Sequence, residues 1–170
     1  MTGAAKGTQL VGRVTIRPAR PGEHVALTAL VMRSAQQHWG YSTEFMAWEP
    51  QHLEIEPEHI TDAVTNVLEI DGRAIGVYML RGAPPEIELS RMMLEPSAIG
   101  SGLGRRMWEH AVCTARDLGA RVIMLDSDPN AEGFYQRMGA VTVGEHDWTP
   151  PMMPDWRVKI MRFEIPDRSE

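Results

Sequence analysis

Apolar and polar residues along this chain follow two periods, about two and about 3.6 residues, and the switches between them outline the elements. Alternation over 11–17 predicts a first strand, ended by Pro18 and Pro21. From 24 to 38, Val25, Leu27, Leu30 and Val31 recur at helical spacing, and Gly40 stops the run. A second short helix is predicted over 43–48, capped by Ser42 or Thr43. The polar stretch 49–60 carries two prolines and reads as a loop with one helical turn. Strands are expected at 63–70 and 73–81, joined as a hairpin at Asp71-Gly72. A third extended run, 86–94, follows Pro84-Pro85.

A helix over 101–118 puts Leu103, Met107, Ala111 and Leu118 on one face and stops at Gly119. Then come a compact apolar strand at 121–126 and a short helix at 131–138, begun by Asp128-Pro129-Asn130 and ended by Gly139. Strands at 140–145 and 157–165 flank a loop rich in Trp and Pro. Strands first, then one long helix, a strand, a short helix and two more strands imply a mixed α+β domain. Regular doubly wound alternation is excluded. Residues 1–10, small and polar, are expected to be a flexible N-terminus and no signal peptide, with 11–170 a single domain.

At 170 residues, with 43% hydrophobic and 24% charged, the chain has the makings of one globular core. A net charge of −6 argues against nucleic acid as a partner and is compatible with a cationic acceptor. No apolar run approaches the roughly 20 residues that span a bilayer, so no membrane partner is expected. Cys113 is the single cysteine, which fits a reducing cytoplasm; mid-helix, it is expected to be a buried, inert thiol. The histidines are scattered, with no metal-ligand spacing, and His110 is expected at the surface.

Chemistry concentrates at Met92-Met93-Leu94, which leads through Glu95-Pro96-Ser97-Ala98 into Ile99-Gly100-Ser101-Gly102-Leu103-Gly104-Arg105-Arg106. Glycines at alternate positions let the backbone approach a ligand, and the helix that follows offers unpaired N–H groups and a positive dipole end. Such a loop suits a phosphate or pyrophosphate. A dinucleotide-binding domain also uses glycines between a strand and a helix, with an acid such as Asp126 after the next strand. Here the glycines run Gly-x-Gly-x-Gly and lie mid-chain, with too little sequence after them for a second mononucleotide unit.

A second motif, Asp128-Pro129-Asn130-Ala131-Glu132-Gly133-Phe134-Tyr135, continues to Gly139-Ala140. The pair of motifs resembles the GNAT superfamily of acetyl-CoA-dependent N-acetyltransferases, across about 86–145. That family carries Gln/Arg-x-x-Gly-x-Gly/Ala, then Asn-x-x-Ala-x-x-Phe-Tyr. Here Ile99 stands in the Gln/Arg place and Asp128 in the Asn place, with Asn130 two residues on. The 27 positions from Gly104 to Ala131 leave room for one helix and one strand, as in the family.

The resemblance implies a three-layer α/β/α fold with a central mixed, mostly antiparallel sheet and a splayed parallel strand pair, 86–94 beside 121–126. It implies acetyl-CoA as co-substrate, held by the backbone and walls of Met92, Met93 and Leu94. Its pyrophosphate would lie on Ile99, Gly100, Ser101, Gly102, Leu103, Gly104 and Arg105 or Arg106, with Asn130 or Asp128 nearby. A primary amine, small molecule or peptide, would attack directly in a ternary complex. Tyr135 matches the tyrosine that protonates the departing thiolate, while Phe134 is expected to be plain core. Glu88, six residues before Leu94, is a candidate base, directly or through water, or else a group that orients a cationic amine; Glu86 shares its face. His38, Trp39 and Tyr41 precede the second helix, where the family walls its acceptor site; Trp148, Met152, Met153 and Trp156 supply the last loop. Those apolar groups suit an acceptor lining or ordinary packing, and in the last loop a homodimer contact. A non-catalytic acyl-CoA-binding module would keep the glycine loop and lack both Glu88 and Tyr135.

Overall fold

The computed structural model describes residues 10–48 and 53–167. All but the last residue of the expected flexible N-terminus and part of the 49–60 loop lie outside them. Seven strands form one sheet: β1 Val14–Pro18, β2 Val64–Ile70, β3 Arg73–Ala83, β4 Glu86–Leu94, β5 Val122–Ser127, β6 Val141–Glu145 and β7 Lys159–Glu164. Their order is β1-β2-β3-β4-β5-β7-β6. Every neighbouring pair is antiparallel except β4 with β5. The helices are α1 His24–Gln37, α2 Thr43–Trp48, α3 Pro57–Thr61, α4 Leu103–Asp117 and α5 Glu132–Arg137. The mixed sheet with its parallel pair is the expected architecture. None of the helices among the described residues is long and apolar enough to cross a membrane.

Two apolar clusters, one on each face of the sheet, make the three layers. On one face Leu80, Ile87, Leu89, Ile123 and Leu125 pack with Met107, Trp108 and Ala111 of α4 and with Tyr135 of α5. On the other, Val67 and Val77 pack with Leu27, Leu30 and Val31 of α1 and with Phe45 and Met46 of α2. Gly76 on β3 lets α4 approach, since a Cβ there would lie 2.6 Å from the Met107 sulfur.

Five expectations are corrected. Val25 and Leu118 are exposed: Val25 lies off the inward stripe of α1, and Leu118 follows α4 as its C-cap. Cys113 is exposed because it falls on the far side of α4 from Met107, Ala111 and Ala115. His110 is partly buried against the sheet, its Nδ1 2.8 Å from the hydroxyl of buried Tyr78. That hydroxyl also lies 3.0 Å from Thr114 Oγ1, which donates to the His110 carbonyl at 2.9 Å. Counting protons gives one consistent chain: His110 Nδ1–H to Tyr78, Tyr78 to Thr114, Thr114 to the helix carbonyl. The long helix also starts two residues later than its 101 start, because Gly102 has φ +87°, outside the right-handed helix.

Burial pushes the His110 pKa below its ordinary value. The unfolded chain therefore takes up the proton first, and the stability held by neutral His110 is complete above the ordinary imidazole range and lost as pH falls through it. Urea midpoints measured from pH 8 to pH 5 should decline less steeply in His110→Gln than in the wild type. Tyr78→Phe should lower stability by about 1–3 kcal/mol, since it leaves the partners of a buried hydroxyl unpaired.

Candidate active site

The site forms where β4 and β5 part. Their pairing covers only Glu86–Leu89 against Val122–Leu125. Beyond it, Asp126 and Ser127 continue against β7 alone, while β4 runs on to Leu94 against β3. Among the described residues, β4 past Leu89 thus has one edge without a ladder partner. A bulge at Ser90, between the pairs Leu80↔Leu89 and Met79↔Arg91, shifts the side-chain alternation by one. Met92 and Leu94 therefore continue the α4 face of Ile87 and Leu89, whereas Met93 joins the α1 face, the one that carries Glu86 and Glu88.

A cavity of about 530 Å³ opens at this parting. Its lining includes twelve of the residues singled out in the sequence: His38, Trp39, Met92, Met93, Leu94, Ile99, Gly100, Gly102, Gly104, Arg105, Asn130 and Tyr135. Gly100 and Gly102 have φ of +81° and +87°, and a Cβ on either would meet nothing within 4 Å. These glycines serve backbone conformation and open access, not packing. Gly104 differs, because its Cβ would lie 3.3 Å from Phe134. No side chain caps the N-terminus of α4, so its first N–H groups keep their hydrogen-bonding capacity.

Other expectations separate. Ser101 and Leu103 are not in the lining; Ser101 Oγ donates to the Ala98 carbonyl, and Leu103 is buried under α4. Of the two arginines, Arg105 lines the cavity and Arg106 donates to the Val14 carbonyl at 3.2 Å. Asn130 reaches the cavity, while Asp128 Oδ1 accepts the Asn130 backbone N–H at 2.6 Å. Burial raises the Asp128 pKa. Phe134 is half-buried and lines the cavity, so it is more than core. Burial also raises the Tyr135 pKa, which keeps its phenol protonated at neutral pH.

Glu88 is exposed and lies outside the lining, at the last paired stretch before the strands part, opposite Arg81 on β3 and Met124 on β5. Glu86, also exposed, pairs with Val122 and Ala83 at the start of β4. Tyr41 and Trp148 are outside the lining as well and belong to an aromatic chain. Tyr41 meets Phe45 in a tilted contact (4.7 Å between ring centroids), as do Phe45 and Trp48 (6.2 Å), Trp48 and Trp148 (6.0 Å) and Trp148 and His146 (5.9 Å). Trp156 meets Phe45 at 5.0 Å, and Met152 and Met153 pack on the same cluster. This chain joins α2 to the β6–β7 loop.

Three features escaped the sequence reading. Asp126, on the α1 face beside the parting, holds an Oδ2 2.9 Å from His146 Nε2. Ser34, outside both motifs, also lines the cavity, together with Met107 of the long helix and Ala131, Gly133, Arg137 and Met138 of the second motif. Arg33 on α1 forks onto buried Glu95 just past β4, its Nε 3.1 and 3.2 Å from the two carboxylate oxygens, which ties α1 to the rim. Each pair joins residues distant in sequence, and no local motif announces it. No cluster of three metal-ligating side chains occurs among the described residues.

The family model described as the acetyltransferase (GNAT) family matches residues 38–140. An uncharacterised N-acetyltransferase of Mycobacterium tuberculosis is 33% identical over 88 residues, 48% of this chain and 56% of that protein. The chain thus spans just over half the length of that curated relative. A 5-NmdU N-acetyltransferase of Pseudomonas phage PaMx11 is 25% identical over 78% of this chain and 90% of its own length. The solved PaiA N-acetyltransferase of Thermoplasma acidophilum, in complex with coenzyme A, superposes with a TM-score of 0.73 at 17% identity, covering 89% of this chain and 99% of that one.

Arg33→Leu would leave the Glu95 carboxylate buried without its counter-charge. We expect a loss of about 2 kcal/mol in urea denaturation, less than for a fully buried pair because Arg33 is half-exposed. Arg33→Lys, which keeps the charge without the fork, should recover part of it.

Proposed function

The chain belongs to the GNAT acetyltransferase family, and on that premise we propose that it transfers an acetyl group from acetyl-CoA to a primary amine by direct attack in a ternary complex. The observation that carries this reading is the unpaired edge of β4 past Leu89, facing a cavity that ends at the glycine loop. Such an edge accepts an extended ligand as an added strand, and the pantetheine arm has amides to pair with it. The open backbone at Gly100 and Gly102, the α4 N-terminus and Arg105 suit a pyrophosphate. Asn130 stands at the same cavity.

Acetyl-CoA supplies an activated thioester carbonyl, and the chain's own residues do the rest. A backbone N–H near Met92–Leu94 polarises that carbonyl and holds the oxyanion. Tyr135 donates its phenolic proton to the sulfur as the carbon–sulfur bond breaks and the carbon–nitrogen bond forms. A carboxylate accepts the proton the amine gives up, because an alkylammonium with a pKa of about 10.4 carries almost no free amine at neutral pH. Glu88 is the candidate from the strand; Asp126, on the same face beside the parting, is the second. The acylated nitrogen releases its second proton to solvent, which also takes the proton held by the carboxylate and returns one to Tyr135.

The acceptor enters on the α1 face. His38 and Trp39 line the cavity there, and the chain from Tyr41 to Trp148 forms a wall beside it. Aromatic faces with Asp126 and Glu88 nearby suit a cationic amine.

Calorimetric titration should show micromolar binding of acetyl-CoA and none of NAD. No binding of acetyl-CoA would overturn the reading; binding without thiol release across an amine screen would leave an acyl-CoA-binding module. With an acceptor in hand, Tyr135→Phe should lower kcat roughly 10- to 100-fold with little change in KM for acetyl-CoA. Glu88→Gln and Asp126→Asn separate the two carboxylates. The variant that removes the base should lose rate at neutral pH and regain it as pH rises toward the amine's own pKa.

A further inference from the structure

Ser34 lies in the last turns of α1, without exposed surface, and its Oγ has no hydrogen-bond partner among the described residues. A serine inside a helix ordinarily donates back to the carbonyl four residues earlier. Here it does not, and an unpaired buried hydroxyl destabilises the protein that contains it. The same residue lines the cavity, one helical turn before His38, which lines it too.

Its position along the cavity follows from its neighbours. Arg33 grips Glu95, the residue directly after β4, so α1 stands against the C-terminal end of that strand. From there the chain passes through the 3-10 turn Pro96–Ala98 to Ile99 and Gly100. Ser34, the next residue after Arg33 on α1, lines the same cavity as Leu94, Ile99 and Gly100. Met93, Leu94 and Ile99 share this stretch of lining, and none brings a polar side chain.

We propose that Ser34 Oγ hydrogen-bonds an amide or hydroxyl of the pantetheine arm of the bound acyl-CoA, the segment between its thioester and its diphosphate. The inference rests on the acetyl-CoA reading and deepens it. Ser34 is a binding residue on α1, outside both motifs, and it gives the helix that walls the acceptor a direct grip on the acyl donor. Its hydroxyl is unpaired without ligand and satisfied with it.

Ser34→Ala tests this through two quantities that move in opposite senses. Affinity for CoA, measured by calorimetry, should fall roughly 3- to 10-fold, the range of one neutral hydrogen bond. The urea midpoint of the ligand-free protein should hold or rise. Adenosine 3′,5′-bisphosphate, which lacks the arm, should bind both proteins equally. Ser34→Cys, similar in shape and a weaker donor, should fall between. Unchanged CoA affinity would overturn the inference, as would a lowered ligand-free midpoint or equal weakening of both ligands. Wild-type protein that binds neither ligand would overturn the acyl-CoA reading and this inference with it.

Discussion

The parting of β4 from β5 after four paired residues is the constraint on which the rest of this structure depends. A parallel pair that zipped to its end would satisfy its own backbone and close the cavity. Instead the bulge at Ser90 turns β4 and shifts its alternation, so that Met92 and Leu94 stay on the α4 side while Met93 faces α1. β5 leaves in the other direction, held to β7 through Ser127. A wedge results in which β4 past Leu89 has, among the described residues, no ladder partner on the β5 side.

The two faces of the wedge are held by different means. On one, small residues allow close approach: Gly76 admits Met107 of α4, and Gly104 admits Phe134 of α5. A Cβ at Gly76 would displace the Met107 and Leu94 side chains, and one at Gly104 would press on the Phe134 ring. On the other, α1 is tied to the rim by the Arg33–Glu95 fork, and α2 is joined to the β6–β7 loop by aromatic rings in tilted and edge-on contact. The glycine-loop side of the cavity is thus built from backbone and packing, and the α1 side from side chains of segments far apart in sequence.

Much of the cavity lining was legible because the glycine loop and the α5 motif are local. A glycine that must take φ near +87°, and an Asx turn whose acid caps the next residues, show themselves within a few positions. Ten of the singled-out residues, from Met92 to Arg105 and at Asn130 and Tyr135, share one cavity for that reason. Misreadings came where helical periodicity was asked to say which face of a helix is wet. Val25 and Leu118 are apolar yet exposed, and His110 is polar yet turned to a buried tyrosine. An apolar residue outside the inward stripe is common and carries little information. A polar residue inside it needs a partner, and Tyr78 and Thr114 lie on other turns and strands.

By itself the sequence determined the order of elements, the hairpin at Asp71-Gly72, the glycine loop and the α5 motif, since turn chemistry and hydrophobic period act over short spans. Only the tertiary structure decided where β4 and β5 separate, that Glu88 stands outside the cavity while Asp126 meets His146 beside the parting, and that Ser34 is buried there with a free hydroxyl. Strand register and the packing of one helix against another are long-range choices. Each depends on residues tens of positions apart, and no local pattern encodes the distance between them.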